Sequence, residues 1–368
     1  MILMNRFISI VIRVLIRVLL VLVCSYGLLI IYLTAREYKP ADTEPLTVES
    51  GYAGINPGIK PGTNTRLVIW NIGYGGLGDN ADFFMDYGKM VYTADAERVA
   101  TNMNGISETL REIGADIILL QEVDTDSARS HHIDETILLS ELYSDYDHTF
   151  AYNYKVDFVP YPIPPIGKVG SGIMTLSRYH ITSAERIQLP CPFKWPVRIA
   201  NLKRCLSINR IPVDGTDKEL VMINLHLEAY DDGEGKEAQT RMLSEIIDRE
   251  IEAGNYVIAA GDFNQTFSRI NTYNFPEYPD RWHPGKINES DFNSSLTFYQ
   301  DIYHPSGRSI DQPYDTAPDK EHFQFYVIDG FIVSPGIEVI SCGVTDKDFK
   351  YSDHNPVVLE FRIKEQMR

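Results

Sequence analysis

Carboxylate, amide and imidazole side chains stand within or directly after short apolar runs of this 368-residue sequence. These residues are Asn71, Glu122, His226, Asp262, Asn264, Asp329, Asp353 and His354. Oxygen ligands of these kinds suit a hard divalent cation, and carboxylates and imidazoles serve as general acids and bases. Because they all mark the ends of apolar strands, the set predicts a site that combines a divalent cation with acid–base groups.

Each of these residues taken alone also has an ordinary structural explanation. Asn71 after a strand is typical of a turn, and residues 261–264 and 353–356 by themselves are typical of turns or helix caps. His226 alone suits a buried core histidine. Asp329 differs, because a carboxylate inside an apolar strand costs free energy unless it is paired. The prediction of a site therefore rests on the whole set.

Short apolar runs bounded by Gly, Asp, Asn or Pro predict the strands that position these residues. We expect strands at Arg66–Asn71, Asp116–Leu120, Gly172–Leu176, Leu220–Leu225, Tyr256–Ala260, Tyr326–Val333 and Val357–Phe361. Apolar residues at helical spacing predict helices at Ala96–Ile113 and Glu237–Ala253. Two long segments, Gly73–Thr93 and Phe150–Gly172, read as loops. This interleaving indicates an α/β or α+β domain with two sheet layers.

Charge is unevenly distributed along the chain, which has 34 Lys and Arg against 51 Asp and Glu. Residues 1–39 hold five of the basic side chains and one of the acidic ones, so the remainder holds 29 basic and 50 acidic. Aromatic residues make up 11% of the chain, which excludes a disordered acidic chain. The acidic remainder also argues against a protein that binds long nucleic acid by bulk charge.

Residues 7–33 are almost wholly apolar, interrupted by Arg13 and Arg17. The uncharged part, Val18–Leu33, spans roughly 24 Å as a helix, against about 30 Å of hydrocarbon. Arg17 and Arg36 can reach the two interfaces and make up the difference. These features favour an uncleaved anchor that crosses the lipid bilayer once. A cleaved signal peptide and a buried core helix are the alternatives.

Basic residues on the two sides of this span predict its orientation. Arg6, Arg13 and Arg17 precede the uncharged stretch, and only Arg36 and Lys39 follow it. The positive-inside rule then places the N-terminus in the cytoplasm and the rest of the chain outside it. We divide the chain into an anchor at residues 1–39, a Pro- and Gly-rich linker at residues 40–65 and a catalytic domain at residues 66–363.

Seven strings occur in a recognisable order along that domain: IWN, LLQEVD, SGIMTLSR, NLHLEA, AGDFN, YVIDGFIV and SDHNPVV. This order resembles the endonuclease/exonuclease/phosphatase superfamily, which has the deoxyribonuclease-I-like fold. The resemblance implies a four-layered α/β sandwich, in which two packed mixed β-sheets carry helices on their outer faces. It also implies hydrolysis of phosphate esters with a divalent metal, usually Mg²⁺ and in some cases Mn²⁺, at one edge of the sheets.

The same resemblance implies a role for each of the residues expected at the metal. Glu122 matches the principal metal ligand, and Asn71 lies beside it at the metal and the phosphate. Asp353 matches a second carboxylate at the metal.

The remaining residues match the groups that handle water and phosphate. Asp262 orients or deprotonates the attacking water or holds a metal, and Asn264 donates to a phosphate oxygen. His354 faces the scissile phosphate, and Asp329 orients its ring. His226 matches a second histidine that acts as leaving-group acid or phosphate donor.

Three hypotheses for the function follow. An anchored acidic domain favours a phosphate-ester substrate such as a lipid head group or a small phosphate ester, and disfavours long nucleic acid. A basic strip between Lys194 and Arg210 keeps open a nuclease that digests external nucleic acid. A catalytically inactive relative used as a binding module is the third. No oligomeric state is indicated, and Cys191 and Cys205 are expected to be separate thiols rather than a disulfide.

Overall fold

The computed structural model describes residues 2–51, 56–231, 233–270, 275 and 277–365. Its helices are α1 (Ile2–Ala35), α2 (Ala96–Ile113), α3 (Glu135–Leu142) and α4 (Glu234–Glu252), with short 3-10 turns at Gly73–Gly75, Phe84–Asp86, Val197–Ala200 and Glu289–Asp291. Its strands are β1 (Thr43–Leu46), β2 (Thr65–Asn71), β3 (Ile117–Asp124), β4 (Asp147–Val159), β5 (Gly167–Ser177), β6 (Ser183–Gln188), β7 (Cys205–Pro212), β8 (Glu219–His226), β9 (Tyr256–Asp262), β10 (Gln265–Phe267), β11 (Gly285–Ile287), β12 (Thr297–Tyr299), β13 (Gly307–Arg308), β14 (Phe325–Tyr326), β15 (Asp329–Val333), β16 (Ile337–Val344) and β17 (Val357–Ile363).

Two large mixed sheets contain most of these strands. The first has the order β1-β6-β7-β8-β9-β15-β12, and the second has the order β16-β17-β2-β3-β5-β4. The pairs β8–β9 and β2–β3 are parallel. The other pairs in the two sheets are antiparallel. Parallel pairing matters for the site, because it brings the carboxyl ends of neighbouring strands to the same edge.

Three apolar clusters hold the layers together. Between the sheets, Leu67 and Leu119 of the second sheet share one cluster with Met222 and Ile258 of the first. The outer face of the second sheet is covered by α2 and α3, and that of the first by α4. Sheets covered on both faces explain why the strands read as continuous apolar runs. The predicted four-layered α/β sandwich is confirmed.

Helix α2 shows how local sequence sets its own boundaries. The side chain of Asp95 accepts a hydrogen bond from the backbone N–H of Arg98 and caps the first turn. Gly114, at φ 59°, ends the helix in the left-handed conformation that glycine adopts without strain. The predicted bounds, Ala96–Ile113, are those observed, and α4 begins at Glu234, ahead of its predicted start.

Two predicted segments are organised differently. The run Tyr326–Val333 is not one strand, because the side chain of Ser306 accepts hydrogen bonds from the backbone N–H groups of Ile328 and Asp329 at 3.2 Å each. The run is therefore divided between β14 and β15. The predicted loop Phe150–Gly172 is instead mostly the hairpin of β4 and β5. The alternating burial of β4 is that of a sheet edge.

Part of the expected linker belongs to the first sheet. Residues Thr43–Leu46 form β1 and pair with β6 in antiparallel register. Leu46 packs against the core between the sheets, which stabilises this pairing. The four cysteines, Cys24, Cys191, Cys205 and Cys342, are all free thiols.

Helix α1 stands apart from the sandwich for most of its length. The stretch Arg6–Ala35 is long and apolar enough to span a membrane, and its most apolar window has a mean hydropathy of 2.8 with none of it buried. This exposure excludes the buried core helix. At its end, Leu33 is buried, and Arg36 Nε donates to Asp157 Oδ2 at 2.6 Å.

The packing of α2 gives a stability prediction. Ile106→Ala should lower the free energy of unfolding by about 2–5 kcal/mol, because it opens a cavity at a fully buried position. Asn104→Ala, at an exposed position of the same helix, should change it by less than about 0.5 kcal/mol. Urea unfolding of the solubilised chain measures both. Equal effects would show that α2 does not pack on the sheet as described.

Candidate active site

The predicted residues meet where the parallel strands end. Asn71 is the last residue of β2, His226 of β8 and Asp262 of β9. Asp329 begins β15 and lies opposite Asp262 in the antiparallel register. Both sheets thus contribute to one edge of the sandwich.

Unusual backbone conformations occur at Glu122 and at Gly261, which directly precedes Asp262. A β-bulge interrupts the β3–β5 pairing between Leu120 and Val123, and Glu122 has a positive φ of 53° there. Gly261, at φ 142°, brings the backbone so close to β8 that a Cβ atom would lie 2.1 Å from the carbonyl oxygen of Leu225. Such strained positions concentrate at functional sites.

Asn71 links the two sheets at the centre of this edge. Its Nδ2 donates to Glu122 Oε1 at 3.2 Å and to Asp262 Oδ2 at 3.1 Å. Its Oδ1 accepts from the backbone N–H of Gly73 at 3.1 Å, which fixes the orientation of the amide. Glu122 belongs to the second sheet and Asp262 to the first. One buried amide therefore sets the distance between the two carboxylates.

His354 is held by a carboxylate behind it. Its Nδ1 lies 2.8 Å from Asp329 Oδ2, and its Nε2 lies 3.8 Å from Asp262 Oδ2. Burial opposes the imidazolium, but the charges of Asp329, Asp262 and Asp353 outweigh burial and raise the pKa of His354 well above its usual value. The ring is thus protonated at neutral pH, with Nδ1–H donating to Asp329.

His226 has the opposite protonation. Burial, followed by the positive charges of Arg204 and His354, lowers the pKa of His226 well below its usual value. Its Nε2 lies 3.4 Å from Asp262 Oδ2, and its Nδ1 has no hydrogen-bond partner. A neutral imidazole is a donor through one nitrogen only. Two imidazoles whose pKa values are shifted in opposite directions therefore lie beside the same carboxylate.

Two carboxylates of the site have pKa values near neutrality. Burial, and then the charge of Asp329, raise the pKa of Asp262 to about 7, with His354 opposing. Burial also raises the pKa of Asp353 to about 6, where the nearby negative charge of Glu122 adds to the effect and His354 opposes it. Asn264 supports Asp262, because its backbone N–H donates to Asp262 Oδ1 at 2.8 Å.

Two groupings of these side chains suit a cation. Among the described residues, one ligand atom each of Asp262, Asp329 and His354 lie within 4.8 Å of one another. The other grouping is Glu122 with Asn71 and Asp353, which line the same cavity and offer two carboxylates and an amide oxygen. Glu122 and Asp353 repel each other, and such a pair fits a bound cation.

The predicted residues line a cavity of about 340 Å³, with the exception of Asp329, which lies behind His354. A cavity of about 510 Å³ beside Glu37 and Pro190 contains none of them, so size alone does not locate the site. Several further lining residues were not among the predicted site residues, although Arg204 belongs to the predicted basic strip and Tyr74 and Tyr154 to the two long segments. They are Tyr74, Arg129, Tyr154, Phe193, Arg204, Tyr230, Trp282, Arg308 and Tyr326.

Three of these lining residues are arginines fixed by their neighbours. Arg129 forms two hydrogen bonds with Asp124, at 2.9 and 3.1 Å. Arg204 donates to the backbone carbonyl of His226 at 3.1 Å. Arg308 donates to the carbonyl of Gly78 at 2.8 Å. Because guanidinium groups pair with phosphate and carboxylate oxygens, this lining suits an anionic ligand.

The chain belongs to the endonuclease/exonuclease/phosphatase family, whose model matches residues 68–354. Members of this family hydrolyse phosphate esters. No curated protein matches the chain.

Solved structures share the fold. An endonuclease/exonuclease/phosphatase from Beutenbergia cavernae is 20% identical over 82% of this chain and 72% of its own, with a TM-score of 0.57. A protein of the same description from Bacteroides vulgatus is 16% identical over 82% of this chain and 100% of its own, with a TM-score of 0.51. Truncated TDP2 from Caenorhabditis elegans is 14% identical over 82% and 99%, with a TM-score of 0.50.

The buried pair of His354 and Asp329 gives a pH prediction. In Asp329→Asn, the His354 pKa should fall, because the variant removes a charge that favours the imidazolium. The limb of the pH–rate profile that His354 sets should move to lower pH by about one to three pH units.

This shift is measured by NMR titration of the imidazole together with hydrolysis of bis-p-nitrophenyl phosphate. Asp126→Asn is the matched control, because Asp126 pairs with the exposed ring of His132 at 2.5 Å. An unchanged profile in Asp329→Asn would contradict the prediction.

Proposed function

We propose that this chain is a membrane-tethered, divalent-metal-dependent phosphoesterase. Its substrate is a phosphodiester or phosphomonoester, with a lipid head group or a small phosphate ester favoured. The observation that carries the proposal is the meeting of Glu122, Asn71 and Asp262 with the His354–Asp329 pair in one pocket. A scattered set of the same residue types would support no such chemistry.

Glu122, Asn71 and Asp353 would hold the cation, Mg²⁺ or alternatively Mn²⁺. The fit rests on the donor set, since all three offer oxygen and the two carboxylates repel each other in the buried pocket. When bound, the ion would neutralise charge on the phosphate oxygens.

Asp262 and His354 would divide the remaining chemistry. Asp262 has a pKa of about 7, which suits a group that accepts a proton from the attacking water near neutral pH. His354, kept protonated by Asp329, would stabilise negative charge on the phosphate as it develops.

Asn264 and His226 would position the phosphate. The amide of Asn264 donates to the carbonyl of Leu227 at 2.9 Å and has a second N–H for a phosphate oxygen. For His226, the lowered pKa opposes a role as leaving-group acid and favours a role as a neutral donor.

The surroundings of the pocket favour a compact substrate over long nucleic acid. The basic strip expected to serve a nuclease is largely paired: Arg210 bonds Glu250 at 2.6 Å, and Arg198 bonds Glu37 at 2.9 Å. Arg204 is buried, 3.4 Å from Glu228. Little of this charge is available to a phosphate backbone. The arginines inside the cavity are where an anion would be recognised.

The tether is the apolar stretch of α1, with the catalytic domain at residues 66–363 outside the cytoplasm. The support for the span is its length, hydropathy and exposure. The support for the orientation is the excess of arginines before it.

Loss of the cation or of a site residue tests the activity. EDTA should abolish hydrolysis of bis-p-nitrophenyl phosphate, and Mg²⁺ should restore it. Glu122→Gln and His354→Ala should each lower the rate by about a hundredfold or more, because the first removes a carboxylate that would hold the cation and the second removes the charge that would stabilise the phosphate.

Glu108→Gln, at an exposed position of α2, is the control and should leave the rate unchanged. Circular dichroism and the unfolding midpoint verify that each variant folds. Full activity of either site variant, or undiminished activity in excess EDTA, would refute the assignment. Parallel assays with DNA, sphingomyelin, phosphatidylinositol phosphates and p-nitrophenyl phosphate then identify the substrate class.

A further inference from the structure

The last turn of α1 is fixed to two segments of the catalytic domain. Arg36 bonds Asp157 near the end of β4, and Tyr32 Oη donates to the same carboxylate at 3.3 Å. Trp195 Nε1 donates to Thr34 Oγ1 at 3.2 Å. These contacts place the β4–β5 hairpin and the β6–β7 loop at the level where α1 leaves its apolar stretch.

Exposed apolar side chains gather on these segments. Ile163 is 94% exposed, Tyr161 71%, Val197 59% and Trp195 57%. Met85, Tyr87 and Met90, on the neighbouring residues 83–90, are exposed as well. Outside α1, the other exposed large apolar side chains of the described residues are Ile137, Leu138, Tyr230, Tyr303 and Ile340. Large exposed apolar patches mark interaction sites.

Contacts link the three segments, directly or through β4. The rings of Phe84 and Tyr161 are in edge contact, with centroids 6.3 Å apart. The backbone N–H of Lys203 donates to the carbonyl of Asn153 at 2.7 Å, and Tyr154 Oη donates to the carbonyl of Ala200 at 3.3 Å. Residues 83–90 thus contact residues 160–166, and residues 190–203 are hydrogen-bonded to β4, the strand that leads into residues 160–166. We term these three segments the rim.

The rim also borders the catalytic cavity. Phe83 and Met85 line it from residues 83–90, and Phe193 and Leu202 line it from residues 190–203. Two of the three rim segments thus border the pocket and also carry exposed apolar side chains.

The charge around the end of α1 differs from that of the rest of the molecule. Arg36 and Lys39 have side chains 62% and 63% exposed, and Lys194 is exposed on the rim itself. The acidic neighbours Glu37 and Asp157 are already paired with basic side chains. Tryptophan, tyrosine and basic side chains together suit the interfacial region of a bilayer.

We propose that the rim is a second membrane-contacting surface beside α1. It holds the mouth of the cavity against the bilayer, so that the pocket takes the phosphoester head group of a membrane lipid. This inference rests on the proposed function, since it requires α1 to span the bilayer and the pocket to hydrolyse phosphate esters.

Tryptophan fluorescence tests the contact directly. The full chain is reconstituted in phosphatidylcholine nanodiscs, with and without bromine on the acyl chains. Trp70 is buried and Trp282 lines the cavity, so the difference between wild type and Trp195→Phe reports Trp195. We expect brominated lipid to quench the part of the emission that is lost in Trp195→Phe. Undiminished emission would overturn the proposal.

Activity tests the choice of substrate. Ile163→Ser and Trp195→Ser should lower kcat/KM on vesicles of phosphatidylcholine, sphingomyelin and phosphatidylinositol phosphate by about tenfold, the factor expected when one large apolar side chain is no longer buried. Neither substitution should change kcat/KM for bis-p-nitrophenyl phosphate. Ile340→Ser, on β16 at the far edge of the second sheet, is the matched control and should affect neither substrate.

The outcomes separate this inference from the proposed function. Hydrolysis of the soluble diester without hydrolysis of any lipid, or equal lipid hydrolysis by all variants, overturns the inference alone. Failure of the wild type on both substrates overturns the proposed function and the choice of substrate with it. The quenching then decides whether the rim contacts the bilayer.

Discussion

The two hydrogen bonds of the Asn71 side chain are the interactions on which the site depends. They join Glu122 of one sheet to Asp262 of the other, so the packing of two large sheets fixes the separation of the carboxylates. An amide suits this position, because it donates to both oxygens without adding charge to a buried cluster. A chain without the apolar core between the sheets would leave the carboxylates unplaced.

Sequence alone predicted the fold and seven of the residues that line the pocket, because these depend on local signals. Helix α2 is defined by its apolar spacing, the cap at Asp95 and the glycine after it. The division of the run Tyr326–Val333 was missed, since it depends on Ser306, some twenty residues earlier in the chain. Arg308 was missed for the same reason, because its partner Gly78 is 230 positions away. Residues positioned by tertiary contacts of this kind have no local signature.

The opposite protonation of the two histidines shows how a buried pocket differentiates similar groups. Both rings lie within 4 Å of the same carboxylate oxygen of Asp262. Only His354 has a second carboxylate behind it, whereas His226 faces Arg204. Identical side chains thus have pKa values shifted in opposite directions, without a difference in burial large enough to explain it.

The attachment of α1 to the catalytic domain has a consequence for encounter with substrate. Leu33 is buried, and Thr34 and Arg36 are hydrogen-bonded to the domain. Under the proposed tether, these contacts would stiffen the joint and hold the mouth of the pocket at one height above the membrane plane. A domain on a flexible tether would instead move through a wide volume above the membrane and encounter soluble molecules. A stiff joint limits the search to two dimensions, in which turnover follows the mole fraction of a lipid in the surface rather than its amount per volume.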